Sequence, residues 1–151
     1  MIEVPRDAVE LAKRFEGFHR VPKNDPGRAY PYICPAGYWT IGWGHLCQAD
    51  HPPVTEAEAE AYLADDLRSA LVATLRYCPV LATAPEWRLA AIVDFTFNLG
   101  AGRLQTSTLR RRINQMDWSG AAQELRRWVY GGGKVLPGLC VRRQAEIDLF
   151  I

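Results

Sequence analysis

Tyr32-Ile-Cys-Pro-Ala-Gly-Tyr-Trp-Thr40-Ile-Gly-Trp-Gly-His45 decides how the rest of the chain is read. From Tyr38 onward large and small side chains alternate, the period-2 pattern of a strand. Gly42 and Gly44 leave room for backbone or ligand to approach closely. Just upstream, Arg14-Phe-Glu16-Gly-Phe-His19 sets a glutamate beside an apolar helical stripe. A carboxyl group facing a Gly-rich hairpin that carries a thiol (Cys34) and a hydroxyl (Thr40) has the composition of a catalytic cleft.

Working outward, the pattern predicts a helix, a hairpin region and then several helices. Asp7 is placed to cap the first helix, with Ala8, Leu11, Ala12 and Phe15 on one face and Gly17 at its end. Residues 21–38 hold four prolines and two glycines, which excludes a long helix and signals turns. Thr55 and Glu58 form a capping-box pattern that opens a helix to about Tyr77, stopped by Pro79. Pro85 is placed in the first turn of an apolar helix running to Leu99, with Gly100 as its cap. Further helices are predicted around Thr106–Gln115 and Ser119–Tyr130. Gly131-Gly-Gly133 then reads as a flexible break, and Pro137-Gly138 precedes a final helix. The sum is an α+β chain, mostly α, with one small hairpin or sheet.

A length of 151 residues suits one domain, and 48% hydrophobic residues are enough for a core. No apolar run approaches the roughly 20 residues needed to span a bilayer. The N-terminus lacks a basic-then-apolar signal pattern, so the chain is expected to stay in the cytoplasm until released. Residues 1–100 hold 9 Lys/Arg against 13 Asp/Glu, whereas residues 101–151 hold 9 against 4. That asymmetry fits either a polyanionic partner or solvated helix faces. Cys34, Cys47, Cys78 and Cys140 contain no CxxC pair and read as free thiols. With no second histidine at ligand spacing, neither a metal nor another cofactor is expected.

The two opening segments together resemble the active-site region of the phage-type lysozymes, the muramidase endolysins of glycoside hydrolase family 24. The family pattern is Glu, eight residues, Asp or Cys, five residues, Thr, then Ile-Gly-Tyr-Gly-His. Cys34, five intervening residues and Thr40-Ile-Gly-Trp-Gly-His45 match its second half. Phe97-Asn98-Leu-Gly100-Ala-Gly102 with Ser107-Thr108-Leu109, and Gly132 to Glu146, resemble later family segments in the expected order. The first half departs, with seventeen residues instead of eight between Glu16 and Cys34. The excess reads as a longer loop over Arg20 to Tyr30. Asp25 lies at the family's distance from Glu16 and is a rival to Cys34, although no Thr follows it at the required spacing. Asn24-Asp-Pro-Gly27 is also good turn chemistry by itself.

The resemblance implies a single two-lobed lysozyme-like unit over 1–151: an N-terminal lobe of about 15–60, a linking helix of about 56–77 and a helical lobe of about 79–151. It implies hydrolysis of the β-1,4 bond between N-acetylmuramic acid and N-acetylglucosamine in peptidoglycan. Glu16 takes the place of the acid; burial would keep such a carboxyl protonated. Cys34 and Thr40 take the place of the groups that hold the attacking water. A thiol there is unusual chemistry, because cysteine is mostly neutral at pH 7. His45 is expected to support the hairpin by pairing with Asp65 or Asp66. Asn98 and Ser107 are candidates for sugar hydroxyl or acetamido groups, with helix capping as the competing reading. Arg142 is a candidate for anionic peptide stems or, equally, for a structural role, and Arg143 with Glu146 for an ion pair. Tyr32, Trp39 and Trp43 either shape the hairpin wall or pack the core. The expected partner is bacterial peptidoglycan, met by a monomer that neither inserts stably in a membrane nor binds nucleic acid. Release through a holin would take it from the host cytoplasm to the wall in the periplasm. The alternatives are a lytic transglycosylase and a non-catalytic wall-binding module. A nucleic-acid-binding helical domain is a third, weakened by the acidic N-terminal part and the lack of a binding motif.

Overall fold

The computed structural model describes residues 1–151. Helix α1 (Arg6–Glu16) buries Ala8, Leu11 and Ala12, the i, i+3, i+4 stripe read from the sequence. Its N-cap is Pro5, with no side-chain cap, so Asp7 sits inside the first turn instead of capping it. There its negative charge still complements the helix N-terminus. Gly17 ends the helix at φ 67°, and Glu16 is left at the helix mouth.

The chain then makes a series of very short strands. β1 (Arg28–Ala29) pairs antiparallel with β5 (Val54–Thr55). Between them, β2 (Tyr32–Ile33), β3 (Trp39–Ile41) and β4 (His45–Leu46) form a three-stranded antiparallel sheet. The register sets Tyr32 opposite Thr40 and Ile33 opposite Trp39. Thr40 and Ile41 are buried while Trp39 stays exposed.

Helix α2 (Glu56–Tyr77) opens with the capping box expected from the sequence. The Thr55 hydroxyl accepts from the Glu58 amide at 3.2 Å, and the Thr55 amide donates to Glu58 Oε1 at 3.0 Å. Its 22 residues span roughly 33 Å, long enough to run from the hairpin lobe into the helical one. Pro79 starts a short 3-10 turn (Pro79–Ala82).

Helix α3 (Glu86–Leu99) is the centre of the helical lobe: every residue from Leu89 to Thr96 is buried. It packs against α1, α2 and the last helix. Pro85 is its N-cap, one position before the first turn. Thr74 on α2 donates to Thr96 on α3 at 2.8 Å, and Thr96 in turn donates to the Ile92 carbonyl, which satisfies both hydroxyls in the dry interface. A short α4 (Ala101–Gln105), not predicted from the sequence, precedes α5 (Thr108–Asn114).

Helix α6 (Trp118–Leu125) ends earlier than predicted, because Tyr130 belongs to a strand. β6 (Tyr130–Gly131) and β7 (Lys134–Val135) form a tight hairpin instead of a flexible break. Gly132 and Gly133 take φ values of 59° and 79° at its turn, which side-chain-bearing residues resist. α7 (Pro137–Phe150) starts with Pro137 in its first turn. One apolar core runs from Ala8 through α2 and α3 to Phe150. No helix is long and apolar enough to cross a membrane.

Candidate active site

Glu16 stands where α1 ends and the hairpin begins, with its side chain 20% exposed. Two neighbours define its surroundings. Arg142 Nη1 on α7 donates to Glu16 Oε1 at 3.3 Å. On the other side Gly44, at φ 76°, lies so close that a Cβ there would sit 2.7 Å from Glu16 Oε2. The glycine is therefore required twice, by the backbone and by the carboxyl group.

Cys34 and Thr40 are brought together by one carbonyl. Tyr38 O accepts the Cys34 amide at 2.9 Å and the Thr40 hydroxyl at 2.9 Å. The Cys34 carbonyl accepts the Gly37 amide at 2.8 Å, closing the turn between β2 and β3. Cys34 is thus positioned by its main chain, with its half-buried thiol free. Because the Thr40 hydroxyl hydrogen points to Tyr38 O, its lone pairs remain as acceptors. Tyr32 pairs with Thr40 across the sheet. Burial, with smaller contributions from Glu16, Cys34 and Cys47, pushes its phenol up to about 12. The phenol therefore stays neutral at ordinary pH.

Asp25 lies within the loop's own contacts. Its Oδ2 accepts from Tyr30 Oη and from Arg28 Nε, both at 2.8 Å. The hydrogen bond from Arg28, then that from Tyr30, holds its carboxyl below the usual range. The long loop is thereby clasped in place by its own side chains.

His45 Nδ1 lies 2.8 Å from Asp66 Oδ2, and its ring stacks on Tyr62 at 4.2 Å and 7°. Of the two aspartates expected, α2 supplies Asp66. Trp43 is buried against Phe18, with Lys13 over its ring. Lys13 also pairs with Glu60, tying α1 to α2.

On the helical wall two of the candidate residues are engaged within the fold itself. Arg142 is only 3% exposed, so it cannot face a peptide stem. Its guanidinium grips Asp94 through two bonds of 2.9 and 2.8 Å and reaches Glu16 with the remaining nitrogen. Burial works against its charge, but Asp94 more than offsets this and raises its pKa. Ser107 is a helix cap: its hydroxyl accepts from the Arg110 amide at 3.0 Å and donates to Leu104 O at 2.8 Å. Asn98 remains available in part. Its Oδ1 accepts from Arg143 at 2.6 Å, which leaves the amide NH2 as the donor end.

Arg143 and Glu146 form the ion pair expected from their spacing, with Nη2 to Oε2 at 3.0 Å. Nε also lies 2.8 Å from Oε1, but too obliquely for a hydrogen bond. Burial drives Glu146 well above the ordinary carboxyl range, and a hydrogen bond to Asp94 adds to the shift. Asp94 moves the other way: burial, the largest single influence, favours its neutral form, yet the charge and hydrogen bonds of Arg142, with Glu146 and Arg143 adding to them, together lower its pKa. Asp94 was missed at the sequence level. Its only signal was an acid inside the apolar run Leu89–Leu99.

A two-lobed helical fold with a carboxyl group at the mouth of its first helix, facing a small sheet, defines the lysozyme-like glycoside hydrolases. Residues 13–146 match the phage lysozyme family, and the chain belongs to that family. A SAR-endolysin of Bacteriophage PS34 is 41% identical over 124 residues, covering 81% of this chain and 73% of that one. An endolysin of Acyrthosiphon pisum secondary endosymbiont phage 1 is 35% identical over 154 residues, covering 99% and 98%. The solved muramidase domain of SpmX from Asticaccaulis excentricus superposes with a TM-score of 0.80 at 30% identity, covering 100% and 99%. The chain is a peptidoglycan-hydrolysing glycosidase of the endolysin class.

Proposed function

We propose that the chain works as one two-lobed muramidase, with Glu16 as general acid and Cys34 and Thr40 holding the attacking water. The observation that carries this reading is the convergence of Cys34 and Thr40 on Tyr38 O, with Gly44 of the next turn of the same sheet packed against the Glu16 carboxyl group. Glu16 gives its proton to the glycosidic oxygen as the bond to the anomeric carbon breaks. Arg142 stabilises the carboxylate left behind, from a site already desolvated and fixed. Water, hydrogen-bonded through one O–H to Thr40 Oγ1, attacks the opposite face of the sugar, keeps that hydrogen in the new anomeric hydroxyl and releases its other proton to solvent, with Cys34 helping to hold it in place. The NH2 of Asn98, the amide's donor end, donates to an acetamido carbonyl.

Glu16→Gln tests the assignment. It preserves the shape of the side chain and removes the proton donor. Hydrolysis of purified peptidoglycan should fall by about 10²–10⁴-fold or more, with wall binding retained. Products carrying reducing-end N-acetylmuramic acid support hydrolysis. Anhydro-muramic ends would mean a transglycosylase, and intact glycan from the unaltered chain would mean a binding module.

Access to the wall is either holin-dependent, as the sequence resemblance implies, or by secretion. The name SAR-endolysin, carried by the PS34 and Enterobacteria phage P21 relatives, favours secretion. Expressing the chain in bacteria without a holin decides between them, since lysis then supports secretion. We read the working form as a monomer, which a sedimentation measurement checks.

A further inference from the structure

The loop absent from the family's spacing builds a feature of its own. Residues 20–30 are closed at the base by the Tyr30 amide donating to Arg20 O at 3.0 Å. Arg20 takes a φ of 61° there, a conformation that tertiary contacts must hold in place. Pro22 O accepts the Asp25 amide and Asp25 O accepts the Arg28 amide, while the Asp25 carboxylate clasps Tyr30 and Arg28. The loop is therefore fixed by its own hydrogen bonds.

Held this way, it walls a depression of about 770 Å³ against the outer face of β2 and β3. That volume lies within the roughly 300–1,000 Å³ of small-ligand sites. Tyr30, Tyr32 and Trp39 supply aromatic surface, while Arg20 and Asn24 supply a guanidinium and an amide at the rim. Ile33 and Trp39, paired across the strands, are 58% and 40% exposed. Flat rings beside neutral and cationic donors match a pyranose, which has an apolar ring face and hydroxyl and acetamido edges. Tyr32 lines this depression, and its ring meets that of His19, three residues past Glu16, edge-on at 5.6 Å, so the depression lies beside the end of α1.

We propose that the loop of residues 20–31 and the outer face of β2–β3 form an accessory subsite for an N-acetylhexosamine unit of the same glycan strand, beyond the scissile bond. This rests on the muramidase reading. Its effect is to favour long strands over short oligosaccharides, through KM.

The test uses peptide-free tetrasaccharide and octasaccharide of alternating N-acetylglucosamine and N-acetylmuramic acid. In the full-length Glu16→Gln chain, octasaccharide should shift the Trp39 indole and Asn24 amide resonances. In the otherwise native chain, Trp39→Ala should raise KM for octasaccharide on the order of tenfold, the loss of one stacked ring, and should raise it much less for tetrasaccharide. Trp39→Phe should restore most of the difference. Thermal melts of both variants confirm folding. Resonance shifts confined to residues of the Glu16 cleft, with hydrolysis intact and length dependence unchanged, would overturn the subsite and leave the muramidase reading standing. Absence of hydrolysis and of any shift would remove both. Binding of the unaltered chain to phosphatidylglycerol vesicles, lost in Trp39→Ala with no glycan response, would overturn the subsite in favour of a membrane contact.

Discussion

The two sides of Glu16 are built by opposite means. On the helical side a buried set of ionisable groups, Asp94, Arg142, Arg143 and Glu146, reaches the carboxyl through a single guanidinium. On the hairpin side short strands and one shared carbonyl deliver a half-buried thiol and a buried hydroxyl. Charges taken out of water must be paired, so the helical side is rigid and intolerant of losing a member. The hairpin side is fixed by main-chain bonds and can change side chains more cheaply. Stability should therefore reside in the first wall and chemistry in the second.

Arg142→Met attacks that division most strongly. It leaves Asp94 buried and unpaired, which should cost about 3–5 kcal/mol and lower Tm by roughly 10–15 °C. A melt within a degree or two of the native one would show that the charged wall is not the stable one. Thr40→Val should do the reverse. Turnover of peptidoglycan should fall about 10–100-fold, while Tm moves little. Cys34→Ser and Asp25→Asn divide the hairpin side further. The first should lower turnover several-fold, and the second should mainly loosen the loop. Loss of turnover only in Asp25→Asn would move the water site to Asp25.

The charged wall also has a pH signature. Asp94 is held below its ordinary 3.8 in the fold. Its contribution is complete above that value and is lost as pH falls through the lowered folded one. Glu146, raised above its ordinary 4.5, contributes most below 4.5 and loses that contribution as pH rises. Melts from pH 2 to 7 should thus show an acid limb that Asp94→Asn flattens. Ser107→Ala is the mildest change. Loss of the α5 cap should cost about 1 kcal/mol with KM for glycan unchanged, whereas a raised KM would return Ser107 to the substrate.

What the sequence disclosed follows the same division. The capping box of Thr55 and Glu58, the strand through Thr40 and the Arg143–Glu146 pair were legible because each is a local pattern with local chemistry. The His45 contact was narrowed to two aspartates by resemblance, and helix phase on α2 selects Asp66. The buried wall was not legible. Arg142 lies 126 residues from Glu16 and 48 from Asp94, and an arginine on a helix otherwise reads as surface. Gly131 to Gly133 also misled, because glycines that permit a tight hairpin turn look the same as glycines that permit disorder. Ser107 was ambiguous for a related reason: one hydroxyl serves a cap or a sugar equally well.

Tyr38 O holds residue 34 by its amide and asks nothing of its side chain. Position 34 is therefore interchangeable in a way that Glu16 and Gly44 are not. A carboxylate installed there, as in Cys34→Asp, would be carried by the same turn. The hairpin is a socket into which different bases can be fitted, and directed evolution of the reaction's pH range has its natural starting point at that one residue.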